Sequence, residues 1–339
     1  MSEVTQEKIT VVIPVYNVAK YISYCLESVI GQTLKEWEAI CIDDGSTDSS
    51  WQVLDEYARR DDRIRIFHQD NHGVSYTRNR AIDLAKGKYL FFLDPDDWLY
   101  DKKVFEDLFE AAEKQNVFVC GGSFQFVYPD HHTVSHPNNH YSKMSFTADG
   151  RIQYSDYQFD YAWTRFLYNR EFLNTNGLRI PDYTIYEDPV FFVNVMIRAK
   201  EFYALKRIVY CYRRAYKTRE YTYRNVLDFM SGICDIIRIA NKEGYADLKQ
   251  LQLIRLKTYY GREAVRFLGK DDSKELRERF NELNSLLYED NKRIEYEIYQ
   301  AEIDKLRFSR NWKTGEMILY LPRKIWKANS AFLKRLRKQ

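Results

Sequence analysis

Short runs of apolar residues, alternating with amphipathic stretches, constrain this chain most. ITVVIPV (9–15), WEAICID (37–43) and KYLFFLD (88–94) are too uniformly apolar for strands with one wet face. Between them the pattern predicts helices. One spans about 17–31, with Asn17 as its cap and Ile22, Leu26, Val29 and Ile30 on one face. Others cover about 50–60, 73–86 (ending at Gly87) and 102–115, with IRIF (64–67) and VFVCGG (117–122) as further strands. Strand–helix alternation at short spacing implies an α/β fold: a mostly parallel sheet joined by right-handed crossovers, with helices on both faces.

Such a sheet binds its ligand beyond the C-terminal strand ends. Asp43 and Asp44 close one strand, and Asp94, Asp96 and Asp97 close another, so two acidic clusters face one crevice. The turn after the first strand reads PVYN, without the glycines of a dinucleotide-binding loop, and no GxxxxGK[ST] occurs. A phosphate group therefore needs a counter-charge other than a backbone nest. Asp94 and Asp96 offer hard oxygen ligands for Mg²⁺ or Mn²⁺, ions that take one or two carboxylates plus substrate phosphates. The plainer alternative has Asp96 or Asp97 capping the helix near 102, which accounts for one carboxylate and leaves the others unexplained.

Length and composition bound the rest. A chain of 339 residues, 45% apolar and 30% charged, supports a soluble globular protein with one large domain and an appendage, or two domains. Its 28 tyrosines and 20 phenylalanines suit ring stacking, though most must serve ordinary packing. Cys25, Cys41, Cys120, Cys211 and Cys234 form no CxxC pair and read as buried free thiols in a reducing compartment. MSEVTQEK has no signal-peptide character, and no apolar run reaches the roughly 18 residues needed to span a bilayer. These features predict a cytoplasmic protein. From about 222 the pattern turns helical, with Val226, Met230, Ile233, Ile237 and Ala240 on one face. The loop 128–140 is polar and yields no functional reading.

At this point the sequence resembles a known family. VVIPVYNVAKYISYCLESVIGQT, WEAICIDDGSTDSS, GVSYTRNRAIDLAKGKYLFFLDPDDW, AWTRFLYNREFL and RIPDYTIYEDPVFF follow one another as in glycosyltransferase family 2, over about 8–215. The resemblance implies a GT-A fold, a metal-dependent inverting transfer and a UDP-sugar donor. It divides the chain into a glycosyltransferase domain at 8–218, with a nucleotide-sugar half (8–122) and an acceptor half (123–218), and a helical region at 219–339.

The resemblance also assigns roles. Pro14 shapes the turn beside Tyr16, which stacks on the nucleobase or else belongs to the core. Asp44 accepts the uracil imide, while Asp43 and Ser46 serve the turn. Asp96 is the direct metal ligand of the DxD motif, Asp94 lies towards ribose and metal, and Asp97 serves capping or a sugar contact. Arg78 reaches a phosphate or the donor sugar, or makes a salt bridge. Glu187 and Asp188 match the ED motif, with Asp188 as the base that deprotonates the acceptor hydroxyl and Glu187 holding the loop or contacting the acceptor. Asp188 and Pro189 also suit a helix start, as Ncap and N1. Trp163 fits an acceptor platform or a core position. From charge alone, and apart from the resemblance, Arg213, with Arg214 and Lys217, can close over the leaving diphosphate or stay solvated. Arg165 stands where a lysine is common, and no histidine follows His140 to serve as a late metal ligand.

The expected function is an inverting glycosyltransferase acting on a glycan or lipid-linked acceptor in surface polysaccharide biosynthesis. The rival reading is a catalytically silent nucleotide-sugar-binding partner of a membrane-associated assembly, which would be expected to lose a DxD or ED acid. A nucleotidyltransferase would carry a glycine-rich basic loop, and a processive synthase would carry spanning helices. The tail 318–339 has Arg323, Lys324, Lys327, Lys334, Arg335, Arg337 and Lys338 and no acid. It reads as an amphipathic helix for an anionic membrane surface on the inner face of the plasma membrane, or as a helix packed on the domain. No nucleic-acid-reading motif accompanies it.

Overall fold

A computed structural model describes residues 7–135, 139–214, 221–268, 273–288 and 292–308. The basic tail at 318–339 and Lys217 lie outside them. The chain divides into two compact units, Met1–Arg219 and Glu220–Gln339.

The first unit is built on one sheet. β1 (Ile9–Val15) lies between β2 (Trp37–Asp44) and β4 (Tyr89–Phe92), parallel to both, and β3 (Ile64–Gln69) runs parallel along the far side of β2. Every residue of β1, β2 and β4 is buried, as their unbroken apolar runs require. The connections are α1 (Ile22–Ile30), α2 (Ser50–Arg60) and α3 (Val74–Leu84). The strand order reverses between β1 and β4, which opens a crevice at their C-terminal ends.

Beyond β4 the sheet is mixed. After the two-residue β5 (Trp98–Leu99) and α4 (Val104–Gln115) come β6 (Val119–Val127), β7 (Thr133–Val134), β8 (Gly150–Gln153), β9 (Phe166–Asn169) and β10 (Glu201–Arg213). β9 slots antiparallel between β4 and β6, and β10 runs parallel to β6. β7 folds back on β6, so part of the 128–140 loop is a hairpin. Helices α5 (Tyr154–Tyr157), α6 (Arg170–Thr175) and α7 (Glu187–Ala199) complete the unit.

Two local expectations fail for identifiable reasons. α1 starts at Ile22 with Tyr21 as its N-cap, because Asn17 adopts a left-handed φ of 53° and turns its side chain to the neighbouring loop. α3 stops at Ala85, and Gly87 is not its C-cap. Gly87 N–H donates to Thr10 Oγ1 at 2.8 Å, and a Cβ there would lie 2.4 Å from the Thr10 nitrogen. Glycine is needed for that close backbone approach.

Rings from several elements fill the centre. Phe92 packs on Trp163 (4.6 Å between centroids) and Phe191 (5.9 Å), and Tyr210 stacks on Phe124 at 5.4 Å. Each such ring adds about 1.5–3 kcal/mol relative to an exposed one. Arg165, buried on the turn before β9, donates to the carbonyls of Gly122 and Met144, each at 2.7 Å, and to Tyr157 Oη at 2.6 Å. It pins the 143–144 segment to the sheet.

The second unit is helical. α8 (Tyr223–Glu243) opens with a capping box between Thr222 and Asn225, closes at Gly244 (φ 75°), and buries Val226, Met230, Ile233, Ile237 and Ala240. α9 (Ala246–Arg255), a π-helical turn (Leu256–Tyr260), α10 (Gly261–Leu268), α11 (Lys274–Leu287) and α12 (Ile294–Phe308) follow. Among the described residues, no helix is long and apolar enough to cross a membrane.

Candidate active site

The crevice is assembled from strand ends. At the end of β1, Tyr16 is 50% exposed. Beside it, Asn17 Oδ1 accepts the Thr47 N–H at 2.8 Å, and the Asn17 N–H donates to Ser46 Oγ at 3.0 Å. These bonds tie the loop after β1 to the loop after β2. Pro14 sits inside β1 in register with Ile42, so it belongs to the strand and does not form the turn.

Consecutive residues of a strand face opposite sides, and Asp43 and Asp44 diverge accordingly. Asp43 is fully buried, with Oδ2 at 2.7 Å from His68 Nδ1 and Oδ1 without a hydrogen-bond partner. Asp44 accepts from Gln69 Nε2 (2.7 Å) and from the backbone N–H groups of His72 and Gly73 (both 2.9 Å). Asp44 thus holds the turn that launches α3. Both its oxygens are engaged there, and any hydrogen bond to a base would be added to those. The turn after β2 is served by Ser46 and Asp48, while Asp43 pairs with His68.

Asp94 follows β4 by two residues, and its carbonyl accepts the Asp97 N–H at 3.0 Å, closing a tight turn. Asp97 is buried and does not cap α4. It accepts from Tyr210 Oη at 2.8 Å and from the Arg213 N–H at 2.7 Å, fastening the turn to β10. Burial, then the charges of Asp94 and Asp96, push Asp97 well above the usual carboxylate range. The α4 terminus is served by Asp101, which accepts the Lys103 N–H, and by Gln32, which accepts that of Phe105. Tyr210 was not legible beforehand as part of this site, since one tyrosine in an aromatic strand carries no signal of its own.

Arg78 joins the two sides of the crevice. From α3, 6% exposed, it places Nη2 at 2.8 Å from Asp94 Oδ1 and Nη1 at 3.1 Å from Glu187 Oε1. Its Nε is buried without a partner. Burial opposes its charge, but Asp94 and Glu187 more than offset this and raise its pKa. α3 is itself anchored to the segment before α7. Ser75 Oγ donates to the Tyr183 carbonyl at 3.0 Å, and Asn79 exchanges bonds of 2.7 and 3.0 Å with Ile180.

Glu187 and Asp188 lie in the first turn of α7, where the helix dipole favours acids. The N-cap is Tyr186, left-handed at φ 69°, so Asp188 is not the cap and Pro189 is not the first helical residue. Trp163 is 3% exposed, packed between Phe92 and Phe191, with the Arg78 guanidinium over its ring at 5.0 Å. That burial leaves no ring face for a sugar, so Trp163 supports Arg78 from behind and is not an acceptor platform.

Arg213 ends β10. Its Nε donates to the Asp96 carbonyl at 2.8 Å, and its guanidinium lies over Trp98 (4.7 Å) and Tyr21 (5.0 Å). Its Nη groups make no hydrogen bond to the described residues. Arg214, by contrast, packs over Phe126 at 5.1 Å.

Among the described residues, no group of three or more His, Cys, Asp or Glu side chains comes together to hold a metal. Asp94 and Asp96 supply two carboxylates, a set suited to Mg²⁺ or Mn²⁺ when phosphate oxygens complete the shell. Asp97 beside them is pushed up first by its own burial and then by the charges of Asp94 and Asp96, which places both carboxylates close together. The donor set therefore fits such an ion.

Arg78 thus joins the Asp94–Asp97 turn to the Glu187–Asp188 turn at the ends of a mixed sheet. Glycosyl transferase family 2 matches residues 10–177, and the chain belongs to that family. The "Uncharacterized glycosyltransferase EpsJ" of Bacillus subtilis is 33% identical over 210 residues, 60% of each chain. A "Poly(ribitol-phosphate) beta-glucosyltransferase" of Bacillus spizizenii is 29% identical over 211 residues, 57% of this chain and 30% of its own. The chain thus spans less than two thirds of the length of these relatives. The crystal structure of S. aureus TarS 1-349 in complex with UDP-GlcNAc shares the fold, with a TM-score of 0.69 and 19% identity over 91% of this chain and 92% of its own.

Proposed function

We propose that this chain transfers a sugar from a UDP-sugar to a hydroxyl of a glycan or lipid-linked acceptor in surface polysaccharide biosynthesis, by one inverting displacement. The observation that carries this reading is Arg78, whose guanidinium bonds both the DxD residue Asp94 and the ED residue Glu187. In this reading that contact holds leaving-group chemistry and base chemistry across one crevice. TarS, solved with UDP-GlcNAc, supports a UDP-sugar donor. The polymeric acceptor in the name of the ribitol-phosphate enzyme supports a polymeric acceptor here.

In this reading Tyr16 stacks on the base, while Asp44 keeps the base-side turn in place and accepts from the uracil imide. Asp96 and Asp94 hold Mn²⁺ or Mg²⁺, which when bound neutralises charge on the departing diphosphate. Arg213 offers its Nη groups to the same charge from the end of β10. Asp188 takes the proton of the acceptor hydroxyl from the opposite side, and Glu187, held by Arg78, fixes the turn that carries it. The basic residues of 318–339 bring the chain to an anionic membrane surface where a lipid-linked acceptor resides.

The test is binding and slow hydrolysis across a panel of nucleotide-sugars, with and without Mn²⁺, on wild type and Asp96→Ala. Metal-dependent binding of one UDP-sugar, lost in the variant, is the expected result. No binding of any nucleotide-sugar under any metal condition would leave a non-catalytic scaffold as the reading.

A further inference from the structure

We infer that Arg78 is a resident counter-ion at Asp94 in the unloaded site, and that it makes metal binding depend on the nucleotide. The inference rests on the donor-and-metal reading above and adds how that site is loaded.

Asp94 Oδ1, on the DxD turn, is taken by Arg78 Nη2 at 2.8 Å. The side chains are 7% and 28% exposed, so water screens the pair weakly. A divalent ion drawing on Asp94 meets a fixed positive charge that already shares its ligand. Asp94 must then turn from Arg78 or offer its other oxygen, and either leaves two cations close together in a poorly solvated place. A diphosphate removes the conflict, because its oxygens supply acceptors for the Nη2 that Asp94 releases. Metal alone is therefore opposed, whereas metal with diphosphate is not.

The surroundings decide which part responds. α3 is pinned by Ser75 to Tyr183 and by Asn79 to Ile180, so the Arg78 backbone is held while its side chain adjusts. The bond to Glu187 comes from the other Nη and can survive the loss of Asp94. The buried Nε without a partner is a second sign that Arg78 is not placed for optimal static bonding. Arg78 is thus a positioning residue whose charge passes between Asp94 and the incoming diphosphate while Glu187 stays bound.

Linkage makes the effect reciprocal: whatever UDP does for Mn²⁺ affinity, Mn²⁺ does for UDP affinity. The experiment uses the full chain and titrates Mn²⁺ by electron paramagnetic resonance, without and with saturating UDP. The comparison covers wild type, Arg78→Gln, Arg78→Lys and Asp94→Asn, with circular dichroism confirming that each variant is folded. In wild type UDP raises Mn²⁺ affinity by about tenfold or more. In Arg78→Gln the affinity without nucleotide rises about tenfold, and the gain from UDP shrinks accordingly. Arg78→Lys keeps the charge and so keeps the weak nucleotide-free affinity. Asp94→Asn, which removes the contested ligand from the other side, also shrinks the gain from UDP. A wild-type gain from UDP retained in full by both Arg78→Gln and Asp94→Asn overturns the inference. So does nucleotide-free Mn²⁺ affinity in Arg78→Gln no higher than in wild type. Absence of UDP binding in every variant speaks against the donor reading itself, while the nucleotide-free Mn²⁺ comparison still reports on Arg78.

Discussion

Arg78 and Glu187 stand 109 positions apart in sequence and share a buried ion pair at 3.1 Å, the bond that fastens the first turn of α7 to α3. One partner comes from α3 and the other from the first turn of α7. The pair therefore sets the spacing between the Asp94 turn and the first turn of α7, the two sides to which the proposed function assigns the leaving group and the acceptor.

Glu187→Gln tests that bond. The amide keeps an oxygen for Arg78 but removes the charge, so a buried guanidinium is left under-compensated. Stability falls by about 1–3 kcal/mol. A urea titration checks this, with the midpoint lowered and the slope unchanged, since the folded state stays equally compact. Turnover falls as well, because Asp188 sits on the turn that is loosened.

Trp163→Ala distinguishes a core ring from a sugar platform. The side chain is 3% exposed and packed on Phe92 and Phe191, so truncation costs about 3–5 kcal/mol and lowers the melting temperature. A platform residue would leave stability near wild type and raise the acceptor KM alone.

Burial also governs the thiols. Burial pushes Cys41, Cys211 and Cys234 up to about 12, and Cys25 and Cys120 also well up. Thiolate is the reactive form, so at pH 8 the folded protein gives almost no colour with Ellman's reagent. All 5 cysteines react in denaturant. Rapid labelling of the native chain would mean that one of these thiols is open to solvent.

What was legible in the sequence follows from periodicity and from side-chain chemistry. Unbroken apolar runs announced β1, β2 and β4, since a strand covered by helices on both faces has no wet side to mark. Acids at strand ends announced the crevice. The antiparallel β9 between β4 and β6 was hidden, because FLYN is a short run with no alternation and its neighbours are distant in the chain. Asn17 read as a helix cap because its chemistry suits one, yet a left-handed φ turned the same side chain to Thr47. Trp163 read equally as an acceptor platform or a core ring, because family patterns do not report burial, and the structure places it in the core. Arg78 was visible as a cation near the site, but its simultaneous grip on Asp94 and Glu187 depends on a tertiary contact that no local pattern encodes.

Arg213→Ala probes the leaving-group side. The side chain is anchored through its Nε to the Asp96 carbonyl and stacked on Trp98 and Tyr21, which leaves the Nη groups for the diphosphate. Removing a donor aimed at developing charge costs about 10²-fold in kcat. Mn²⁺ affinity stays within about twofold of wild type, because the backbone carbonyl of Asp96 is the only part of that residue Arg213 bonds. Wild-type turnover in the variant would remove Arg213 from the mechanism.

Asp188→Asn probes the base. Asp188 and Glu187 share the first turn of α7, but Glu187 is the one tied to Arg78, so neutralising Asp188 leaves that bridge intact. UDP-sugar binding is therefore retained, while transfer to an acceptor falls by about 10²–10⁴-fold, the usual worth of a positioned general base. The loss lies in kcat and not in the donor KM, as the base role proposed for Asp188 requires. Equal losses of donor binding and turnover would instead make Asp188 a donor ligand, and the base would have to be sought among other acids of the acceptor half.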